Sequence, residues 1–313
     1  MSDLRTLAEE REILRPFGEL DVLLFYSIVS PELKVFLGDR EVASKVWLKQ
    51  RSLLNRGSQL PPLHADEIAT KVTIDLLQLR AKMGLADARD SLNAVEQKIW
   101  RYFPPRKLCD YFYAANHEGR GGEIDRIFYD VDRPKDMPHE RAREVAGLFL
   151  EAILGDDQFR EYVSDRPLVA WTGSSFHIYL FLKQREKHSF YTENIHYSDS
   201  TPEKGFTAKW LQLVKRKTQI PVAGGHEKKP GFITIDPSQT PSGKLARSPL
   251  GSLHMSDYQT VDGVSIPIEI RRLHDEGLTE TLRGYTPKRL LSEMPQFSRM
   301  MPLSILSQPR KPL

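Results

Sequence analysis

Ile127-Phe128-Tyr129-Asp130-Val131-Asp132 is the stretch whose reading decides the fold. Its aromatic and β-branched residues predict a β-strand, and Pro134 ends it. Side chains alternate across a strand, so Asp130 and Asp132 share one face while Tyr129 and Val131 share the other. Two carboxylates about 6–7 Å apart on one face raise each other's pKa unless a cation lies between them. A hard divalent ion on oxygen ligands, Mg²⁺ or Mn²⁺, suits that arrangement. A strand leaving the core with solvated acids at its end would read the same way, so the meaning of the pair depends on the segments downstream of it.

The rest of the chain limits the options. With 313 residues there is room for one large domain or two small ones. Lys and Arg number 45 against 42 Asp and Glu, a net charge of +3, so any polyanion must be held by a local patch. Cys109 is the single cysteine, which excludes an intramolecular disulfide and a Cys-rich zinc site, and no structural zinc is expected. No apolar run reaches the ~18 residues that a membrane helix requires. A cytoplasmic protein without a membrane partner is expected.

Upstream of the acidic strand, residues 1–104 predict a mostly helical region packed on the core. Its helices are expected over Leu4–Leu14, Val42–Leu54, Ile68–Leu79 and Ala86–Trp100. From 105 to 299 the pattern becomes that of an α/β (α+β) catalytic core. Strands are expected at Leu108–Ala114, Pro167–Trp171, Ser175–Leu182, Gly231–Asp236 and Val264–Ile270, and helices at Pro138–Leu154, Lys204–Lys217 and Pro287–Met294. Gly155 is the expected cap of the first of these helices. Residues 300–313, with Pro302, Pro309 and Pro312, read as a tail or linker.

Two further stretches carry polar side chains on strands. In Thr172-Gly173-Ser174-Ser175-Phe176-His177-Ile178-Tyr179, Ser175, His177 and Tyr179 share a face, and the small-residue turn offers N–H groups to phosphate oxygens. In Phe232-Ile233-Thr234-Ile235-Asp236, Phe232, Thr234 and Asp236 share a face with the acid at its end, where a third carboxylate would complete a two-metal site. Lys244, Arg247, Ser252 and His254 come next in the chain, cations and donors suited to a triphosphate. Each of these residues alone also reads as a structural histidine or a solvated loop charge.

Taken in order, the three stretches resemble the archaeo-eukaryotic primase superfamily, which includes primase small subunits and plasmid-type primase-polymerases. A hydrophobic strand ending in D-x-D is matched by Phe128–Asp132. A small-residue turn before S-x-H is matched by Gly173–Leu180. A strand ending in Asp, followed by basic, Ser and His residues, is matched by Asp236 and then Arg247–His254. The likeness covers about half the chain. It implies a helix-flanked unit packed on an RRM-like sheet, with the acids in the cleft between. It also implies that Asp130, Asp132 and Asp236 bind two Mg²⁺ or Mn²⁺ ions, that Ser175, His177 and Arg247 hold the triphosphate, and that His254 lies beside it. DNA template, primer and dNTP or NTP become the expected partners, with an accessory subunit or further C-terminal domain as another. Primer synthesis and extension become the expected reaction. Two departures stand out: the lone Cys109 cannot build the family's usual zinc knuckle, and Ser174-Ser175 stand where a basic residue and a Gly often occur. The first favours a plasmid- or virus-type enzyme, or a repair-type polymerase, over a cellular primase subunit.

Residues 203–229 hold seven Lys or Arg against two Glu, with Phe206 and Trp210 interleaved. Lys215, Arg216 and Lys217 are the candidate nucleic-acid contacts, cations for phosphates beside rings for bases. An ordinary solvated basic helix is the alternative. An end-joining repair polymerase, a metal-dependent nuclease and a non-catalytic initiator protein remain the other functional readings.

Overall fold

The computed structural model describes residues 2–10, 22–164 and 166–302. The strands among them are β1 (Val42–Trp47), β2 (Ser52–Asn55), β3 (Cys109–Ala114), β4 (Ile124–Asp132), β5 (Leu168–Trp171), β6 (Phe176–Glu186), β7 (Val222–Gly224), β8 (Ile233–Asp236), β9 (Leu245–Arg247), β10 (Leu253–Met255), β11 (Val261–Val264) and β12 (Ile266–Ile268). Six build a central sheet in the order β12-β5-β6-β4-β8-β7, four a second sheet in the order β2-β1-β3-β9, and β10 and β11 form a ribbon. The expected α/β architecture is therefore present.

The central sheet has apolar cover on both sides, and its middle strands are correspondingly apolar in sequence. β6 is buried without interruption from Phe176 to Leu182. Behind the sheet lie two helices, His139–Leu154 and Gly205–Lys217. Tyr129 points back to them, its ring 5.0 Å from Phe149 and 6.3 Å from Trp210. In front lie the helix Val22–Leu37 and the second sheet. Phe36 there meets Tyr179 at 5.8 Å and Tyr113 at 5.6 Å, and the Tyr179 hydroxyl donates to the Arg247 carbonyl at 2.8 Å. Odd and even residues of β4 thus serve opposite layers, as the strand's alternation requires. Among the described residues no helix is long and apolar enough to cross a membrane.

The N-terminal region departs from the helical expectation at Val42–Leu54, which is the β1–β2 hairpin. Val42 and Val46 are four apart, a spacing that fits a helical stripe and a strand face equally. Pairing of β1 with β3 decides the matter, since Val42 stands opposite Tyr113 and Val46 opposite Cys109. This sheet joins residues on both sides of position 104. The expected helix at Ile68–Leu79 is divided at Val72-Thr73 into Ala65–Lys71 and Ile74–Lys82, with Thr73 capping the second. Ala86–Trp100 likewise begins in short turns before Ala94–Tyr102. The helix at Pro287 runs on to Met300. Residues 11–14 of the first expected helix and 303–313 of the expected tail lie outside the described residues.

Candidate active site

Asp130 occupies the middle of the site because β4 is the strand between β6 and β8. Its register partner on β6 is His177, and its register partner on β8 is Asp236. Directly opposed residues on antiparallel strands hold their Cβ atoms about 4.5–5.5 Å apart. One row of the sheet thus reads His177, Asp130, Asp236, and Asp132 stands one row further, opposite Thr234. Pairing of three distant segments brings the three predicted acids onto one face.

Each carboxylate is held by a donor or cation of the chain. His177 Nε2 lies 3.3 Å from Asp130 Oδ1. Lys228 Nζ forms an ion pair with Asp132. Asp236 accepts from Ser238 N–H at 2.8 Å and Ser238 Oγ at 2.9 Å, and His226 Nδ1 lies 3.1 Å from its Oδ2. Burial works to raise the Asp130 carboxyl, but His177, with help from Lys228 and Arg247, brings it below the ordinary range. The Asp132 carboxyl goes up, first through burial and then through the charge of Asp130.

The β5–β6 turn sits beside this row. Gly173 has φ +94°, and a Cβ there would lie 2.5 Å from the Cβ of His254, so the turn needs glycine. Thr172 Oγ1 accepts from the N–H groups of Ser174, at 3.4 Å, and Ser175, at 3.0 Å. The turn therefore satisfies internally two of the N–H groups expected to face a phosphate. Ser175 Oγ is likewise committed, donating to the Val131 carbonyl.

Arg247 lies on β9 in the second sheet, near enough for its charge to act on Asp130. It donates to the Leu253 carbonyl at 2.5 Å and to Ser252 Oγ at 3.3 Å, and pairs with the buried Asp110 at 3.3 Å. Burial raises the Asp110 carboxyl and Arg247 opposes that shift. His254, beside Arg247, is pulled down to about 4 by burial and by the Arg247 charge, so it is a neutral ring at physiological pH. Lys244 stands apart: it is exposed at the entry to β9, three residues and about 10 Å along the chain from Arg247.

Lys215, Arg216 and Lys217 are exposed, but on the helix behind the sheet, the side opposite the acids. Lys217 pairs there with Glu151 at 3.1 Å. The rings expected to stack on bases belong to the core instead. Trp210 is 0% exposed, stacks on Phe206 at 5.7 Å, and donates its indole N–H to Asp156 at 2.9 Å. An amphipathic helix buries one stripe, and residues 206 and 210 lie on it.

Three residues that sequence reasoning left out of the site complete it. His226 and Lys228 lie on the β7–β8 loop and bridge to Asp236 and Asp132. Their signal in the sequence was Gly224-Gly225-His226 just ahead of an acid-ended strand. Arg133, next to Asp132, donates to the carbonyls of Ser174, at 3.0 Å, and Met137, at 2.6 Å, and its Nη2 is 2.6 Å from His139 Nε2. It ties the end of β4 to the β5–β6 turn. Burial and the Arg133 charge bring His139 down to about 4, which leaves its ring neutral and able to accept that bond.

Among the described residues no three His, Cys, Asp or Glu side chains form a ready-made metal cage. The donor set nevertheless suits a hard divalent ion. It offers carboxylate oxygens, two of them on facing residues, and an acid raised by burial and by its neighbour's charge. The Lys228 ammonium already supplies Asp132 with a positive charge.

No protein-family model matches the chain, and no curated protein matches it. Among solved structures it is similar to the polymerase domain of ligase D from Mycobacterium tuberculosis, in complex with DNA. The TM-score is 0.54 at 14% sequence identity, over 93% of this chain and 96% of that one. The chain thus has the fold of a polymerase domain, which meets the expectation of a primase-polymerase type of core at the level of architecture.

Proposed function

We propose that this chain is a DNA-directed nucleotidyltransferase that extends a DNA strand from nucleoside triphosphates. The observation that carries the reading is the row His177–Asp130–Asp236, with Asp132 beside it and the charge of Arg247, from the second sheet, acting on it. Asp130, Asp132 and Asp236 would hold Mg²⁺ or Mn²⁺. Bound there, the ions would offset the charge that develops on the attacking and leaving oxygens of an in-line displacement.

In that reaction the primer 3′-oxygen forms a bond to the α-phosphorus, the bond from that phosphorus to the bridging oxygen breaks, pyrophosphate leaves, and the hydroxyl proton is released. The chain's own residues position and neutralise. Arg247, already fixed by Asp110 and the Leu253 carbonyl, meets the triphosphate with little ordering cost. His177 steadies Asp130. His254 offers a neutral ring as a hydrogen-bond donor. Ser175 acts by holding the turn to β4 through the Val131 carbonyl. Lys244, and Lys215 to Lys217, are left with long-range attraction of DNA.

The likeness to a polymerase domain solved with DNA favours extension of existing ends, including gap filling, as the first activity. De novo primer synthesis is the finer alternative, favoured by the order of the three sequence motifs. One assay tests both. Protein is incubated with Mn²⁺ or Mg²⁺, dNTPs or NTPs, and primed, gapped 5′-phosphorylated or unprimed DNA. Incorporation on primed or gapped DNA supports the proposal, and products on unprimed DNA add priming. Shortening of the DNA without incorporation would instead mark a nuclease. DNA binding that survives Asp130→Ala with Asp132→Ala, in a wild type that incorporates nothing, would mark a non-catalytic binder.

A further inference from the structure

Phe232 is 39% exposed, an uncommon position for a phenyl ring beside a row of carboxylates. It lies two residues before Thr234, the register partner of Asp132. Its side chain is therefore on the acid-bearing face, about 6–7 Å along from Thr234. A shallow groove of about 210 Å³ lies there, with Asp132, Arg133, Lys228, Lys229, Phe232 and Thr234 in its lining beside two prolines. An aromatic floor, two ammonium groups and a neighbouring carboxylate have no evident use in holding the fold together.

Both lysines are available for exchange. Lys228 is 78% exposed and pairs with Asp132, and Lys229 pairs with the exposed Asp199 at 2.8 Å. With both ammonium groups reachable from solvent, these pairs are modest in strength and can give way to a phosphate. Arg133 also lines the groove; its Nε and Nη1 donate to backbone carbonyls and its Nη2 meets His139, so most of its donors are committed and its main contribution is positive field.

We propose that this groove is a nucleotide subsite in which a base stacks on the Phe232 ring while Lys228 and Lys229 hold its phosphate, next to Asp132. This inference rests on the nucleotidyltransferase reading and adds to it a ligand class for a surface where the acidic strands meet the β7–β8 loop. The nucleotide is either a unit of a DNA strand or the free triphosphate. The chemistry is the same for both: a planar base and a phosphate one residue's reach apart. Base–aromatic stacking accepts any base, so the subsite carries no sequence preference.

The test measures fluorescence anisotropy of a labelled single-stranded oligonucleotide with the full chain in EDTA, across a salt series, and equilibrium dialysis of a labelled nucleoside triphosphate. Phe232→Ala is expected to weaken binding about 5- to 150-fold, and Phe232→Tyr to restore it. An oligonucleotide with abasic units is expected to be indifferent to Phe232→Ala. Lys228→Ala with Lys229→Ala should flatten the log–log salt dependence by about 0.7 to 1.4. Loss confined to the oligonucleotide assigns the subsite to the strand, and loss confined to the triphosphate assigns it to the free nucleotide. Either outcome supports the proposal. Unchanged binding of both ligands by Phe232→Ala overturns it, as does equal loss on abasic DNA. Because the assay needs no turnover, its failure in a protein that incorporates nucleotides refutes the subsite alone. A protein that binds through Phe232 yet incorporates nothing refutes the enzymatic reading alone.

Discussion

Asp130 and Asp236 are register partners on adjacent antiparallel strands, although 106 positions separate them in the chain. The two carboxylates share a face with Asp132, and His177 closes the row on the other side. Like charges in that proximity destabilise the fold unless something positive is present. His177, His226 and Lys228 provide part of that charge or its hydrogen bonds.

Removing one acid should relieve repulsion while removing function. Asp236→Asn is expected to keep or slightly raise the melting temperature and to lower nucleotide incorporation about 10²–10³-fold. Thermal unfolding and a primer-extension time course, run on the same preparation, check both halves.

Lys228 competes for Asp132 with any metal ion. Lys228→Ala should therefore tighten Mn²⁺ binding, by up to about fivefold given the modest strength of an ion pair whose lysine is exposed. Titration calorimetry or the EPR signal of free Mn²⁺ would register the change. Weaker Mn²⁺ binding in the variant would show that Lys228 supports the ion rather than standing in for it.

Stability should depend on pH through His254. Burial and Arg247 depress its folded value to about 4, against about 6.5 in an unfolded chain. Between those values the unfolded chain binds the extra proton, so stability rises with pH. The contribution is whole above about pH 6.5 and lost as pH falls through about 4, and His139 acts in the same direction. Urea unfolding of the wild type at pH 7.5 and 5.0 should show the loss, and His254→Asn should reduce it.

The rear helix separates packing from DNA attraction. Trp210→Ala removes a fully buried ring that meets Phe159 at 4.6 Å and Phe206 at 5.7 Å, and should cost about 3–5 kcal/mol in chemical denaturation. Ala at Lys215, Arg216 and Lys217 should leave stability nearly unchanged and soften only the salt dependence of DNA binding. A large rise in the KM for nucleotide in that triple variant would bring the rear face into the reaction.

The sequence was most legible where one strand's alternation carried the information. In β4, β6 and β8, polar residues two apart on apolar strands announced a shared face, and strand pairing did the rest. It was least legible where a spacing fitted two periods, as for Val42 and Val46, or where burial depends on a partner element, as for Phe206 and Trp210. Lys228 and His226 were visible only as members of a charged loop. Their closeness to Asp132 and Asp236 arises from the parallel pairing of β7 with β8, which the chain does not announce locally.

Manganese-dependent extension of a labelled primer on a DNA template tests the central claim most directly. The account predicts nucleotide addition by the wild type and its disappearance when Asp130 and Asp132 are both replaced by Ala in a protein that stays folded. Addition that persists in the double variant, or a folded wild type that adds nothing with either Mn²⁺ or Mg²⁺, would contradict it.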